Sequence, residues 1–498
     1  MGEYFYIKES GLMKVGNLSK SQVLGNSLWK FFESAGVHLL QMVITILLAR
    51  MLTPDDYGLM AIVLVVITFL GLFINSGISS YLVYMKEIRK QDFLTLLLFN
   101  VIVSIFLMLL LFVFADAIAN YYSAPSLSPL IKAMSITLPF SAVSSVYNAY
   151  AMKMSLFKTL FIRNIIALPV SGVIALMLAF SGSGVWALVI YQICYMLLLS
   201  IIIAFTIKID IDGEWKLDSH IIAPMLKFGG FTMLSSVIAF VSDSISDILI
   251  GKRINTAQLG YYNRGFTFPS VFMSVVNEVL SGVLFPAFAS YTDDIISLKD
   301  KCRKTLRILN YAIFPLLFGL IGCAKPLVIA LLSTKWEETI PVVQTYCFFF
   351  CFTPILQTMS QVYLALGLVK LRTFGEVLKM ILTIAALFLL IDYGIIAVVL
   401  ARTLVNFMLF IYTIIIGKWK MNYGFYEVLR DMVKPLFLSS ILLCCIFPII
   451  YIPIPQFLIL FIQIVVGVSV YILAAKFLKI KEIDEIMDIA FSKINNHH

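Results

Sequence analysis

Charge is what this sequence has least of. Charged residues fill 13% of its 498 positions and hydrophobic residues fill 61%, against about 25% and about 45–50% in a soluble domain. Too few ionisable side chains remain to solvate a surface of this size, so most of the chain is expected to lie in lipid. Histidine is scarce as well: of four in all, His497 and His498 end the sequence, and no metal-ligand spacing forms. The seven cysteines (Cys194, Cys302, Cys323, Cys347, Cys351, Cys444 and Cys445) include no CxxC pair and sit mostly inside apolar runs, where they read as small hydrophobes. No GxSxG, phosphate-binding glycine loop or HExxH occurs. No polar segment is long enough to fold as a separate catalytic domain. These absences argue against an isomerase or a glycosyltransferase; the chain is expected not to be an enzyme and to carry no cofactor. The first span is expected to be a retained helix and not a secretory signal, because a mixed polar segment precedes the first apolar run and no small-residue cleavage site follows it.

What is present is length without charge. Windows of about 19 residues predict about fourteen spans, at 29–50, 58–83, 93–115, 128–151, 161–181, 184–207, 223–250, 260–290, 306–324, 340–366, 373–391, 394–417, 434–452 and 455–476. Links around Gly182, Asp392 and Pro453 are short enough that the helices they join must be antiparallel hairpins. The formal charge of +9 is distributed by topology. With the N-terminus inside, most of the 37 lysines and arginines fall on inward segments, among them Lys86, Arg89 and Lys90, then Lys299, Lys301, Arg303, Lys304 and Arg307, then Lys418, Lys420, Arg430 and Lys434. Basic inward loops predict both termini in the cytoplasm and remove the argument for nucleic-acid binding.

The chain is internally repeated. Ala49-Arg-Met-Leu-Thr-Pro-Asp-Asp-Tyr-Gly58 aligns without a gap on Gly251-Lys-Arg-Ile-Asn-Thr-Ala-Gln-Leu-Gly260, and at the same offset Asn75 falls opposite Asn277. Phe157-Lys-Thr159 resembles Leu371-Arg-Thr373, and the opening of span six at Gly184 resembles that of span twelve at Gly394. The expected architecture is therefore an all-α polytopic membrane protein. It has two six-helix lobes in parallel repeat around a central cavity, plus two C-terminal helices. The segments are a cytoplasmic 1–28, an N-lobe 29–207, a linker 208–222, a C-lobe 223–417, a final pair 434–476 and a tail 477–498. In the elbow between spans one and two, Arg50 closes the first helix, Thr53 caps the second and Pro54 suits its first turn. Gly58 and Gly260 are the expected close-approach positions.

Polar residues line particular faces. Span eight carries Asn263, Thr267, Ser270, Ser274, Asn277 and Ser281 at helical spacing, with Arg264 and Glu278 on the shoulder and Pro269 offering a kink. Span seven carries Ser235, Ser236, Ser242, Asp243, Ser246 and Asp247; span two carries Thr68, Asn75, Ser76, Ser79 and Ser80. Serines and threonines alone are adequately explained by helix packing. Ionised groups are not, since each costs about 2.5–3.5 kcal/mol at a helix centre. Asp243, Glu278 and Arg402 are deep, and His38, Asp247, Arg264 and Glu376 are shallower. Together they predict a hydrated cavity.

The stretches LLARMLTPDDYGLMAIVLVVITFLGLFINSGISSYLV, GSGVWALV and YGIIAVVLAR resemble the polysaccharide transporter (Wzx-type) flippases, in the superfamily that also holds multidrug exporters and the lipid II flippase. The resemblance covers nearly the whole chain. It implies twelve core helices in two lobes, alternating access, a bacterial inner-membrane location and an undecaprenyl-diphosphate-linked oligosaccharide as cargo, with the bilayer and the polysaccharide polymerase and ligase components as further partners. The alternative is a cation-coupled small-molecule exporter of the multidrug type. One departure from the family is acidic: Glu33, Asp243 and Asp247 stand on spans one and seven, where family cavities are cationic. A diphosphate needs cationic partners, and guanidinium binds phosphate bidentately without losing its proton. The candidates are Arg264 and Arg402, then Lys132 and Arg163, with Asn75 and Asn277 as further cavity residues. Asp243, Glu278 and Asp247 are candidates for coupling to a proton or sodium gradient, since a carboxyl deep in a span should bind a proton more readily than in water.

Overall fold

The computed structural model describes residues 12–13, 20–85, 88–207, 218–279, 284–478 and 480. Helix dominates them. In order come α1 (Lys20–Met51), α2 (Pro54–Tyr84), α3 (Lys90–Tyr122), α4 (Leu127–Ser135), α5 (Thr137–Lys153), α6 (Phe157–Phe180), α7 (Val185–Thr206) and α8 (Ser219–Arg253). They continue as α9 (Thr256–Val279), α10 (Phe285–Ala289), α11 (Ile295–Leu331), α12 (Thr339–Phe350), α13 (Thr353–Ala365), α14 (Val369–Leu390), α15 (Ile395–Met421), α16 (Phe425–Ile446) and α17 (Gln456–Phe477). The β-structure among the described residues is one short antiparallel pairing, Leu12–Met13 with Ile88–Arg89.

Twelve helical stretches among these residues are long and apolar enough to cross a bilayer. The fourteen expected spans differ from them at two places. Span one falls inside α1; its residues 36–51 are apolar, and the side chains of 29–35 lie outside the described ones. Span eight becomes α9, which ends at Val279, and residues 280–283 lie outside the described ones. Two expected spans are also broken internally. The fourth divides at Ile136 into α4 and α5, and the tenth divides around Cys351 and Phe352 into α12 and α13. Hydropathy averages over such breaks because the chain stays apolar through them.

The turns follow local chemistry. Between α6 and α7, Gly182 and Gly184 adopt φ of +79° and +54°, a region open to glycine at little cost. The hairpin they form packs α6 on α7. Gly394, at φ +92°, serves the same purpose between α14 and α15, which also pack together. Pro269 lies inside α9, which continues through it.

The chain compacts into two units, Met1–Ala257 and Gln258–His498, dividing in the first turn of α9. In the first unit α1 packs on α6, α5 on α2 and α7, and α8 runs along α2. Its core gathers Phe93, Leu96, Tyr147, Leu160 and Ile203. α8, which the sequence repeat assigns to the second half, packs along α2 within the first unit. In the second unit α11 is the central column, contacting α12, α13, α16 and α17. Its core includes Phe288, Leu298, Leu306, Tyr363 and Tyr423.

Candidate functional site

The elbow is built as a capped turn. Thr53 takes an extended conformation before α2, its hydroxyl accepts from the Asp56 N–H at 3.3 Å, and Asp56 Oδ2 accepts from the Thr53 N–H at 2.9 Å. This reciprocal box satisfies two donors that a helix start leaves open. Pro54 occupies the first turn, and Arg50 lies exposed in the last turn of α1, where a cation complements the helix dipole. Gly58 has its tightest contact not with α1 but with the corresponding elbow of the repeat. A Cβ placed on it would stand 1.7 Å from the Thr256 carbonyl oxygen, and the Thr256 hydroxyl donates to Asp55. The two elbows that the sequence aligns are thus packed on one another. Gly260 is buried.

The remainder of α2 follows α8. Phe69 lies 5.6 Å from Phe240, Tyr84 stacks on Phe228 at 4.9 Å, and a Cβ on Gly229 would come within 2.6 Å of the Gly77 Cα. Asn75 is exposed on α2, and Ser79 donates to the Ser145 carbonyl at 3.5 Å. On α8, Asp243 is exposed and Asp247 half-buried, while the neighbouring Ser242 and Ser246 are buried.

The polar stripe of α9 is largely bonded to its own helix. Asn263 Nδ2 donates to the Leu259 carbonyl, Thr267 to that of Asn263 at 2.8 Å, Ser270 to that of Thr267 and Ser274 to that of Val271. Such back-bonding lets hydroxyls face apolar surroundings without an outside partner. Periodicity cannot distinguish this from a wet face. Arg264 is half-buried on the same helix. The side chains of Asn277 and Glu278, and that of Glu33 on α1, lie outside the described ones.

The four candidate cations sit in different surroundings. Lys132 of α4 forms an ion pair with Asp116 at 2.8 Å, which also accepts from Ser128, and it lies over the Phe112 ring. Arg163 of α6 is 5% exposed and donates to Asn148 Oδ1 at 2.5 Å and to the Ser144 hydroxyl at 3.5 Å. It adjoins a buried polar layer: Asn164 accepts from the Tyr195 hydroxyl, and Asn100 of α3 donates to Ser145 and to the Ala142 carbonyl, both at 3.0 Å. Arg402 of α15, 9% exposed, donates to the Tyr262 hydroxyl at 2.8 Å and lies over the Phe349 ring at 5.4 Å. Tyr262 stands two residues before Arg264, so the fold brings Arg402 to the helix that carries Arg264. An aromatic face stabilises a guanidinium.

One ionic cluster among the described residues escaped the sequence reading. Arg303 of α11 donates through Nε and Nη2 to the two oxygens of Asp431 on α16, at 2.8 and 3.1 Å, and through Nη1 to Glu427 at 3.3 Å. Lys299 pairs with Glu427 at 2.8 Å and donates to the Asn422 carbonyl at 2.7 Å. The buried Tyr423 hydroxyl donates to Asp431 at 3.1 Å. Burial, and then the Asp431 charge, push the Tyr423 phenol far above its ordinary value. A signal was present: Lys299 and Arg303, like Glu427 and Asp431, are four residues apart, which puts each pair on one helix face. Counting lysines and arginines for topology hid the acidic partners. Among the described residues no group of three His, Cys, Asp or Glu side chains is placed to hold a metal.

Comparison with known proteins agrees with this architecture. The chain aligns with the succinoglycan biosynthesis transport protein ExoT of Rhizobium meliloti (strain 1021) at 25% identity over 325 residues, and with the lipopolysaccharide biosynthesis protein WzxC of Escherichia coli (strain K12) at 28% over 319. Each alignment takes in 63% of this chain and 63% of the relative, so the chain spans just under two thirds of the length of these relatives. In fold it is similar to the lipid II flippase MurJ in its inward closed conformation, with a TM-score of 0.72 at 16% identity over 92% of this chain and 99% of MurJ. The model of the polysaccharide biosynthesis protein family matches residues 47–341. That is more than half of the sequence, and the chain belongs to the polysaccharide biosynthesis protein family.

Proposed function

We propose that the protein is a flippase that moves an undecaprenyl-diphosphate-linked oligosaccharide, a precursor of O-antigen, capsule or exopolysaccharide, from the cytoplasmic to the outer leaflet by alternating access. The observation that carries this reading is the family match over residues 47–341, on a chain whose relatives ExoT and WzxC are named for transport and for lipopolysaccharide biosynthesis. The physical requirement is to shield a polar glycan and a diphosphate from hydrocarbon, where an uncompensated charge costs many kcal/mol. Arg402 meets that requirement best: it is buried, keeps its proton, and is held by a phenol and an aromatic face. Arg264 is assigned to the same cargo, with Arg163 and Lys132 as weaker partners and Asn75 and Asn277 as glycan contacts. The basic segments support an orientation with both termini in the cytoplasm, and an inner-membrane location in a bacterial cell goes with this reading. Polysaccharide polymerase and ligase components are the expected partners.

The test is complementation of a glycan-export-deficient strain. Export should be restored by the native chain, reduced by Arg402→Lys and lost with Arg402→Ala, at equal protein abundance in the membrane. Normal export by Arg402→Ala, or loss only because the protein disappears, would refute the diphosphate assignment. Asp243 and Glu278 are proposed to couple transport to an ion gradient, with Asp247 beside them. If Asp243→Asn and Glu278→Gln both keep export dependent on the gradient, that part is wrong. Orientation is tested by cysteines at Asp55 and at Lys301, of which only the first should react with an impermeant reagent from outside. The exposed Asp243 and half-buried Asp247 also favour a second reading, cation-coupled export of small molecules of the multidrug type. It requires a change in drug resistance rather than in glycan export.

A further inference from the structure

Helix α11 is longer than a bilayer requires. Its 37 residues extend roughly 55 Å at ~1.5 Å per residue, against ~30 Å of hydrocarbon. All its charges but Lys325 (Lys299, Asp300, Lys301, Arg303, Lys304 and Arg307) are crowded into its first third. The first third of α11 therefore stands at the head-group level, beside the C-terminal end of α15 and the start of α16. There a pocket of about 590 Å³ opens, lined by Ile295, Ile296, Lys299, Asp300, Arg303 and the segment Lys418–Asn422.

The floor of this pocket is fixed. Arg303 grips Asp431 bidentately, Lys299 ties Glu427 to the Asn422 carbonyl, and Asn422 itself ends α15 in the left-handed conformation at φ +52°. Those cations are neutralised by Glu427 and Asp431. The rim differs. Lys418 is exposed, Lys420 lies 3.8 Å over the Trp419 ring, and Trp419 and Ile296 are 69% and 77% exposed. Two cations beside large exposed apolar groups at head-group depth form an amphipathic cradle, and basic pockets between helix ends hold anionic lipid head groups. With Asp300 on the same wall, the uncompensated balance is close to one positive charge. That matches a phosphodiester better than the two or more negative charges of a diphosphate.

We propose that this pocket binds the phosphodiester head group of an anionic phospholipid of the adjoining leaflet. Lys418 and Lys420 contact the phosphate, and Trp419, Ile295 and Ile296 lie against the upper acyl chain. The site is separate from the cargo path proposed above and shares with it only the assignment of this face to the cytoplasm.

The full-length protein is placed in nanodiscs of phosphatidylcholine containing a small fraction of a lipid brominated near the top of its tails, and tryptophan emission is compared with that of Trp419→Phe. Brominated phosphatidylglycerol should quench the Trp419 component several-fold more than brominated phosphatidylcholine. Lys418→Gln with Lys420→Gln should make the two lipids equal without changing the unfolding temperature. Equal quenching in the native protein, or a preference that survives the double substitution, overturns the proposal. Unlabelled undecaprenyl diphosphate at equimolar amount should leave the quenching in place. If it relieves the quenching, the pocket holds the polyprenyl carrier and the phospholipid assignment is wrong. Quenching needs no transport, so failed glycan export would leave this result intact, and outside labelling at position 301 would reassign the leaflet but not the pocket.

Discussion

The seam between α2 and α8 and the joint among α11, α15 and α16 are made from opposite materials. In the first, backbone meets backbone at Gly77 and Gly229, and beyond the end of α8 at Gly58 and Thr256, the first residue of α9, with rings between α2 and α8 at Phe69, Phe240, Tyr84 and Phe228. In the second, a half-buried guanidinium, carboxylate and ammonium are bonded over short distances, and the guanidinium also grips a buried carboxylate that accepts from a buried phenol. Separating glycine-lined helices forfeits dispersion contacts and leaves little unsatisfied. Separating a buried ion pair leaves charges without partners. The α2–α8 seam has the chemistry of a surface that can part, and the α11–α16 joint has that of a surface that must stay closed.

The largest expected effect breaks the joint. Asp431→Ala leaves Arg303 and Tyr423 facing a cavity and should cost on the order of 3 kcal/mol, read as a lower unfolding temperature and a smaller folded yield in detergent. Asp431→Asn keeps an acceptor for both donors and should cost less. If Asp431→Ala is as stable as the native protein, the joint is held by apolar packing and the contrast collapses. The seam should respond to volume rather than to charge. Gly58→Leu drives a side chain into the Thr256 backbone, and overpacking of this kind costs typically about 1–3 kcal/mol; Leu59→Ile at the next position should be nearly silent. Likewise Gly229→Ala, with its Cβ at 2.6 Å, should destabilise more than Gly77→Ala, at 3.3 Å. The reverse ranking would show that the helices approach differently.

The smallest effect lies at the start of α11, where Asp294 caps the helix through the Ile296 and Ser297 N–H groups and the Ser297 hydroxyl. The bonds from Ser297 hold its carboxyl below the usual range. A lowered carboxylate adds stability that is whole above the free value of ~3.9 and is lost as pH falls through the folded value. Amide exchange at Ile296 and Ser297, taken relative to Asp294→Asn, should rise only on that acid limb. An unchanged ratio from pH 5 to pH 2 would remove the cap from the account of α11.

Most of the architecture was legible in the sequence, because hydropathy, the basic loops and the repeated elbow are properties of neighbouring residues. In lipid the backbone must satisfy itself, so an apolar run of span length has almost no alternative to a helix. The capping box at Thr53 and Asp56 and the hairpin turns at Gly182 and Gly394 were likewise determined by local chemistry. What only the tertiary structure decided was who meets whom. The sequence marked Gly58 as a close-approach position, but that it approaches Thr256 depends on where the second elbow is carried by the helices between them. The polar face of α9 reads as wet by spacing, yet its hydroxyls turn back on their own carbonyls, a matter of rotamer and not of period. Arg402 was marked by its depth, but its partners Tyr262 and Phe349 come from helices distant in sequence. Arg303 and Asp431 are more than a hundred residues apart, and each looks like an ordinary head-group charge. Only when α11 is packed on α16 does Arg303 meet the buried Asp431, because the energy of an ion pair belongs to a distance and a dielectric, and neither is written in a single segment.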